Sequence, residues 1–361
     1  MHWLLFPFTL LYCLIIKFRN HLFEFGVLKS TKFDFPVISV GNITVGGTGK
    51  TPHIEFLVRL LKDEFQLATL SRGYKRKTRS FITAKPNSTS DEIGDEPKQL
   101  KQKFPNITVA VDRKRVNGVI RLLEQNKNLD VILLDDAFQH RSIKPGLSIL
   151  LIDYNRPLHK DRMLPVGRLR ESPAEIKRAH IIIFTKTPKD IQPVERQIAI
   201  KKLKPLRSHS VYFTSLNYGV LKPVVLDTEM SDIVINQNFL QQQYIVILVT
   251  GIANPQALFK YLEPYCKSIV KMQFSDHHDF TIRNFKHIEK KVQQIASVKH
   301  LIITTEKDAI RIRNFVKKRS ISKNILKCFY YIPIEIEFIH QDTNQFENQI
   351  LEYVRKIRKH S

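Results

Sequence analysis

The sequence predicts an α/β fold: a doubly wound, mostly parallel sheet domain, then a smaller second α/β domain, with an apolar helix at the N-terminus. Short apolar runs recur along the first half of the chain, and helical patterns fill several of the gaps between them. A glycine-rich loop joins the first of these runs to a helix. In a sheet of this kind the binding residues lie at the carboxyl ends of the strands.

The individual elements follow from the same patterns. In the first half, strands are predicted at residues 37–40, 67–70, 107–111, 131–134, 148–152 and 181–184, and the clearest helices at 51–62 and 115–125. In the second half, strands are predicted at 244–250, 301–304 and 330–338, and helices at 256–262 and about 344–357.

These elements suggest a division of the chain into five segments. A basic KKLKPLR run after residue 200, followed by extended segments, marks the main boundary. The predicted segments are a membrane-interface helix (1–30), a phosphate-binding domain (31–210), a linker (211–226), a second α/β domain with a return linker strand (227–340) and a C-terminal helix (341–361).

Composition limits the function classes. A chain of 361 residues that is 43% hydrophobic and 25% charged is an ordinary globular protein, which excludes disorder. The net charge of +24 favours anionic partners, of which nucleic acid and anionic lipid are the candidates. The three cysteines lack CxxC spacing, so neither a disulfide framework nor a structural zinc site is expected.

The N-terminal segment favours lipid. Residues 3–16 are almost wholly apolar and are followed by Lys17 and Arg19, whereas a secretory signal would carry basic residues before the apolar run. The run is shorter than the roughly 20 residues that span a bilayer and contains Pro7, so a helix lying in the membrane interface is predicted. A buried core helix is the alternative.

Residues 37–54 read as a strand, a glycine-rich loop, Lys-Thr and a helix, the order of a P-loop. Backbone N–H groups of such a loop cradle phosphate, Lys50 supplies charge for the β- and γ-phosphates, and the Thr51 hydroxyl can ligate magnesium. A nucleoside triphosphate and Mg²⁺ are therefore predicted ligands; a plain glycine turn is the alternative. The predicted binding residues are Thr44, Val45, Gly46, Gly47, Thr48, Gly49, Lys50 and Thr51, with Thr44 standing where the generic pattern has glycine.

Two carboxylates end a buried strand downstream of this loop. Asp135 and Asp136 occupy the position where a P-loop enzyme keeps its magnesium-holding acid, although a pair of aspartates at a strand tip also caps turns. The upstream phosphate loop favours the metal interpretation.

Two further polar segments are candidate functional sites, but their sequence patterns are less specific. Residues 90–97 gather four acids, including Asp95 and Glu96, and local sequence favours helix capping there. Residues 274–280 place His277 and its neighbour between two aspartates, a pattern that suits a proton relay, a metal site or a simple polar turn.

Several motifs together resemble the tetraacyldisaccharide 4′-kinase (lipid A 4′-kinase) family. They occur in the family's order over nearly the whole chain, and Thr44 agrees with the family's loop, whereas Ala137 stands where glycine is expected. The motifs are GN at 41–42, GGTGKTP at 46–52, SRGY at 71–74, GDEP at 94–97, DDAFQH at 135–140, DHH at 276–278 and TEKD at 305–308.

The resemblance implies an ATP- and Mg²⁺-dependent kinase that phosphorylates the 4′-hydroxyl of a lipid A disaccharide precursor. It also implies a location on the anionic cytoplasmic face of the inner membrane, through the N-terminal helix, with no nucleic-acid partner. The implied catalytic residues are Asp95 as general base, His277 as its partner and Lys50 at the transferring phosphoryl group. The implied metal residues are Thr51, Glu96, Asp135 and Asp136, while Arg72 and Arg170 are implied contacts to nucleotide or substrate phosphate.

Two other classes remain open at this point. A P-loop regulatory NTPase would carry a base-reading Asn-Lys-x-Asp segment, and residues 185–188 (TKTP) lack the aspartate. A nucleic-acid-stimulated NTPase would use the positive charge for phosphate backbones, but it would not need the apolar N-terminal helix.

Overall fold

The computed structural model describes residues 2–225, 231–236, 239, 243–252, 254–276, 278–295, 299–316, 321–340 and 342–359, with side chains from residue 5 onward except at 323 and 324. The chain divides into two compact units. The first unit comprises Met1–Leu216 and Ile336–Ser361, and the second comprises Asn217–Glu335.

The first unit alternates strands and helices. In chain order its elements are α1 (His2–Glu24), β1 (Thr31–Lys32), β2 (Val37–Gly41), α2 (Lys50–Leu61), β3 (Leu67–Ser71), β4 (Ile82–Thr83), α3 (Ser90–Ile93), α4 (Asp95–Lys103), β5 (Thr108–Val111), α5 (Arg115–Gln125), β6 (Val131–Asp135), β7 (Ile143–Lys144), β8 (Leu147–Asp153), β9 (Ile181–Thr185), α6 (Pro193–Leu203) and β10 (Ser210–Tyr218).

A nine-stranded sheet forms the centre of this unit. Strand β2, which leads into the glycine-rich loop, lies between β6 and β8 and is parallel to both. Every residue of β2, β3, β6, β8 and β9 is buried, as expected for a parallel sheet covered on both faces. The carboxyl ends of β2, β3, β6, β8 and β9 therefore meet at one edge, which confirms the predicted doubly wound α/β class.

The second unit contains its own, smaller sheet. Its elements are β11 (Lys222–Pro223), β12 (Ile245–Thr250), α7 (Gln256–Leu262), β13 (Ser268–Gln273), α8 (Ile282–Gln294), β14 (His300–Thr305), α9 (Glu306–Val316), α10 (Lys323–Leu326) and β15 (Phe329–Ile332). Strands β13, β12, β14 and β15 are parallel neighbours in that order, and β11 pairs antiparallel with β15.

The chain then runs through β16 (Ile334–Phe338) to α11 (Asp342–Arg358). Strand β16 lies beside β10 at one end of the nine-stranded sheet. The prediction of a single strand over 330–338 is wrong. Pro333 has no backbone N–H to donate to a neighbouring strand, and it separates β15 from β16. The two halves belong to different sheets.

Helix α1 keeps much of its apolar surface exposed while polar side chains attach it to the first unit. Phe8, Leu14 and Phe18 are each more than half exposed. The Tyr12 hydroxyl donates to the Arg170 carbonyl oxygen (3.0 Å), and Arg19 pairs with the buried Glu171 (3.0 Å). Within the described residues, no helix is long and apolar enough to cross a membrane.

Candidate functional site

The loop between β2 and α2 has the backbone of an anion cradle. Gly46 and Gly49 have φ angles of 105° and 85°, which side-chain-bearing residues rarely adopt. No atom lies within 4 Å of the position that a Cβ on Gly47 would take, so a ligand can reach the bare backbone there. The loop opens directly into the N-terminus of α2, where unpaired N–H groups and the helix dipole attract phosphate.

Hydrogen bonds hold this loop from both sides. The Asn42 side chain donates to the Thr48 hydroxyl (2.7 Å), and the Val45 N–H donates to the Arg168 carbonyl oxygen (2.8 Å). Lys186 follows β9; its ammonium donates to the Gly47 carbonyl oxygen and pairs with Asp153 (2.8 Å) at the end of β8. The loop is thus anchored by residues from the ends of neighbouring strands.

The acid pair at the end of β6 faces this loop. Asp136 has a φ of 50°, and its carboxylate lies 3.7 Å from the Lys50 ammonium and 3.1 Å from the Arg170 guanidinium. Burial opposes its ionisation, but Lys50 and Arg170 outweigh burial and keep the pKa of Asp136 below its usual value. Lys50, Asp136 and Arg170 therefore form one charged cluster beside the phosphate loop.

Asp135 has the opposite environment. Burial, followed by the charges of Glu96 and Asp136, raises the pKa of Asp135 to about 7. Its Oδ1 atom is buried and has no hydrogen-bond partner among the residues that the structure describes. A buried carboxylate oxygen that lies near Glu96 and Asp136 and has no partner in the described contacts is the observation that fits a magnesium ion here.

The N-terminus of α4 brings the GDEP segment to the same edge of the sheet. Asp95 and Glu96 occupy its first turn, and Glu96 is close enough to affect the pKa of Asp135. Gly94 has a φ of 92°, and a Cβ there would lie 3.0 Å from the Tyr74 carbonyl oxygen, so only glycine fits where the two loops pack together. Glycine at this position thus allows the SRGY and GDEP segments to approach.

Arg72 of the SRGY segment contributes positive charge to the same region. The pKa of His140 is lowered to about 4, first by burial and then by the charges of Arg115 and Arg72. Arg115 itself is fully buried beneath the acids and donates to the Asp135 carbonyl oxygen (3.3 Å). Two arginines thus lie near the metal-binding candidates without forming ion pairs with Asp135 in the described contacts.

The possible metal ligands form an incomplete shell. Among the described parts of the chain, no three His, Cys, Asp or Glu side chains lie close enough together to bind a metal alone. Magnesium in phosphoryl-transfer sites is held by one or two carboxylates together with water and substrate phosphates. The Asp135 oxygen and the neighbouring Glu96 suit such a shared shell.

The second unit has a separate group of polar residues at the carboxyl ends of its strands. Asp308, which is fully buried, accepts from the Gly251 N–H (2.9 Å) and the Thr305 hydroxyl (2.8 Å). His278 stacks on Phe274 and hydrogen-bonds Asn284 (3.0 Å). The predicted catalytic residue at 277 lies outside the described residues.

Sequence reasoning placed the phosphate loop, Lys50 and the acid pair in one site, and these residues do meet at one sheet edge. It did not identify Lys186 or Asn42 as residues that hold the loop. Their position directly after a buried strand is the signal that would have found them.

Comparison with known proteins gives consistent matches over the whole chain. A family model described as tetraacyldisaccharide-1-P 4′-kinase matches residues 1–355. Tetraacyldisaccharide 4′-kinase of Phocaeicola vulgatus is 45% identical over 360 residues, covering 99% of this chain and 96% of its own. The protein of that name from Flavobacterium johnsoniae is 43% identical over 354 residues, covering 98% and 97%.

A solved structure is also similar. It is the "apo" form of LpxK from Aquifex aeolicus in complex with ATP. The TM-score is 0.73 and the sequence identity 27%, and the match covers 98% of this chain and 99% of that one.

Proposed function

This chain belongs to the tetraacyldisaccharide-1-phosphate 4′-kinase family, and we propose how its own residues perform the family's reaction. The protein is a phosphotransferase that moves the γ-phosphate of ATP to the 4′-hydroxyl of the lipid A disaccharide precursor. The observation that best supports this assignment in the molecule itself is the cluster at the phosphate loop. There Lys50 meets Asp136, next to an Asp135 oxygen that has no partner among the described residues.

Nucleotide binding uses the loop residues. In the proposal, the N–H groups of residues 44–51 bind the phosphates, and Lys50 turns from Asp136 toward the γ-phosphate when ATP is present. Arg170 then keeps Asp136 paired, so that the carboxylate retains one cation when Lys50 leaves. The loop needs little rearrangement because side chains already fix it on both flanks.

The metal role is assigned to the acids that lie together beside the phosphate loop. Asp135, Glu96 and the Thr51 hydroxyl would hold magnesium, with Asp136 oriented beside them. Bound magnesium neutralises the charge that develops on the phosphoryl oxygens during transfer.

In the transfer step, Asp95 is assigned as the general base. It accepts the proton from the 4′-hydroxyl while that oxygen bonds to the γ-phosphorus, and the bond from phosphorus to the leaving ADP oxygen breaks. His277, the residue that the family resemblance pairs with this base, is assigned as the partner that orients Asp95.

The base assignment is tested with Asp95→Asn. We expect kcat to fall about 10²- to 10⁴-fold while the KM for ATP changes little, because a general base acts on the acceptor hydroxyl. Asp91→Asn is the matched control, since Asp91 is an exposed acid on α3 paired with Lys77. A large rise in the ATP KM would instead assign Asp95 to nucleotide or metal binding.

His277 is tested by combining substitutions. If His277 acts through Asp95, Asp95→Asn/His277→Ala should be no slower than Asp95→Asn alone. Fully additive losses would mean that the two residues act independently.

Attachment to the membrane is the second part of the proposal. The exposed apolar side chains of α1 would enter the headgroup region, with Lys17 near anionic lipid, so that the protein is peripheral on the cytoplasmic face of the inner membrane. The +24 charge then serves lipid rather than nucleic acid. Binding to duplex DNA as tight as binding to anionic vesicles would contradict this assignment.

A further inference from the structure

His53 is a buried histidine in the first turns of α2, directly behind the phosphate loop. Only 3% of its surface is exposed, and both ring nitrogens have partners. Nδ1 lies 2.7 Å from the carbonyl oxygen of Gly49, and Nε2 lies 3.1 Å from the hydroxyl oxygen of Thr214. Thr214 is itself fully buried on β10. The ring therefore connects the end of the phosphate loop to a strand of the sheet.

These partners define the tautomer of His53. A carbonyl oxygen can only accept a hydrogen bond, so Nδ1 must carry the proton and donate to Gly49. Nε2 then has a lone pair and accepts from the Thr214 hydroxyl. Burial lowers the pKa of His53 to about 4, which keeps the ring neutral near pH 7. Both bonds are thus present in one fixed protonation state.

The Gly49 carbonyl matters because of the peptide group to which it belongs. In a trans peptide the C=O and the following N–H point in opposite directions. The Gly49 carbonyl is drawn toward α2 by His53 Nδ1 and also accepts from the His53 backbone N–H (3.3 Å). The N–H of Lys50, in the same peptide group, is therefore directed away from the helix, toward the phosphate cradle.

Glycine at 49 makes this peptide easy to displace. Its φ of 85° is accessible to glycine without strain, and glycine has more backbone freedom than any other residue. A fixed peptide at this position thus needs support from outside the loop. Among the described contacts, His53 provides the side-chain hydrogen bond to the Gly49 carbonyl.

We propose that His53 is a positioning residue for ATP, which, held by Thr214, orients the Gly49–Lys50 peptide so that its N–H faces the nucleotide phosphates. The inference rests on the proposed use of this loop for ATP. It assigns a role in nucleotide affinity to a residue that touches neither substrate nor metal.

Substitutions separate the two hydrogen bonds. His53→Leu removes both, whereas His53→Asn places an amide N–H near the Nδ1 position and keeps the bond to Gly49. Thr214→Val removes only the hydroxyl that holds the ring, and Thr214→Ser keeps it. Binding of a non-hydrolysable ATP analogue with Mg²⁺ is measured by calorimetry on the full chain in detergent, with melting temperatures recorded in parallel.

We expect His53→Leu to weaken analogue binding about tenfold. This is the effect of losing one well-placed hydrogen bond to the ligand, here the bond from the Lys50 N–H to phosphate. His53→Asn should recover most of this loss, and Thr214→Val should weaken binding two- to threefold while Thr214→Ser does not. The ATP KM should rise in parallel, with kcat at saturating ATP within about twofold, because this support is equal in the ground and transition states.

The proposal is overturned if His53→Leu binds the analogue like the wild type, or if His53→Asn binds as weakly as His53→Leu. Should His53→Leu fail to fold, equal analogue affinities for Thr214→Val and Thr214→Ser would overturn it as well. The kinase assignment fails separately: wild-type protein would then bind the analogue but transfer no phosphate to the lipid.

Discussion

At the scale of single residues, Asp135 and Asp136 show how environment separates two adjacent carboxylates. Asp136 meets Lys50 and Arg170, which hold its pKa low, whereas Asp135 is buried near Glu96 and its pKa rises to about 7. A buried acid that must ionise to bind a cation destabilises the metal-free fold. The site is therefore built for its ligand and not for the stability of the empty protein.

Replacing Asp135 with asparagine should stabilise the metal-free protein at alkaline pH. The folded protein keeps a proton on Asp135 up to about pH 7, whereas the unfolded chain loses it near 3.8, so wild-type stability falls as pH rises through this window. About three pKa units correspond to at most roughly 4 kcal/mol. Asp135→Asn should thus melt higher than wild type at pH 8, with the difference vanishing toward pH 4.

Thermal unfolding without nucleotide or metal, at several pH values, measures this difference. Asp63→Asn is the control, because the Asp63 side chain is 81% exposed and should show no such trend. An Asp135→Asn protein that melts lower than wild type at pH 8 would contradict the assignment of a strained, metal-ready carboxylate. The same variant should lose kinase activity despite its higher melting temperature.

At the scale of elements, α2 and α4 carry the residues that must be aligned for transfer. Helix α2 begins with Lys50 and α4 begins with Asp95. A buried carboxylate on α2, Glu55, accepts from Gln99 (3.0 Å) and pairs with Lys103 (2.6 Å), both on α4. This contact fixes the separation of the two helix N-termini.

Glu55→Gln should therefore reduce both stability and turnover. Losing a hydrogen bond to a charged group costs about 1.5–3 kcal/mol, and a shift of α4 moves Asp95 relative to the phosphate loop. We expect kcat to fall more than the ATP KM rises. The control is Glu64→Gln, because solvent screens the exposed pair of Glu64 with Arg355 and its loss should change stability little. Equal effects of the two substitutions on kcat would refute this role for Glu55.

The elements also show how far the sequence alone could predict the fold. Buried strands such as β3, β6 and β9 were located to within a residue or so because apolar runs between polar turns leave little ambiguity. Helix α5 was predicted with its observed bounds, Arg115–Gln125. Local patterns were thus sufficient to locate these strands and this helix of the first unit.

Features that depend on contacts between residues far apart in the sequence could not be predicted from local patterns. The split of residues 330–338 at Pro333 requires knowing that the two halves enter different sheets. Likewise, the contacts of Lys186 with Gly47 and of His53 with Thr214 join residues more than 130 positions apart. A position directly after a buried strand places Lys186 at the binding edge, but no local pattern identifies its partner, so these contacts were visible only in the folded chain.

At the scale of the whole molecule, charge and the exposed face of α1 favour action on a membrane-bound substrate. The chain carries +24 charges, and Phe8, Leu14 and Phe18 present apolar surface on one helix. Tyr12 on the same helix bonds the backbone of Arg170, which pairs with Asp136. Arg170 therefore connects α1, which carries the proposed membrane contact, to the charged cluster of the site.

Replacing Phe8, Leu14 and Phe18 together with serine should release the protein from anionic phospholipid vesicles, since each loses roughly 1.5–3 kcal/mol of apolar burial in the interface. Flotation with vesicles measures binding, and ATP-analogue affinity should stay unchanged. Val194→Ser is the control, because Val194 is exposed on α6. Unaltered flotation of the triple variant would exclude α1 as the anchor.

The most direct test of the central claim is the fate of the γ-phosphate. Purified protein is incubated with γ-labelled ATP, Mg²⁺ and detergent-dispersed lipid A disaccharide 1-phosphate, and the labelled position on the lipid is identified. We predict label on the 4′ oxygen, lost in Asp95→Asn and retained in Asp91→Asn. Release of labelled inorganic phosphate without labelled lipid, at equal rates in all three proteins, would contradict the account.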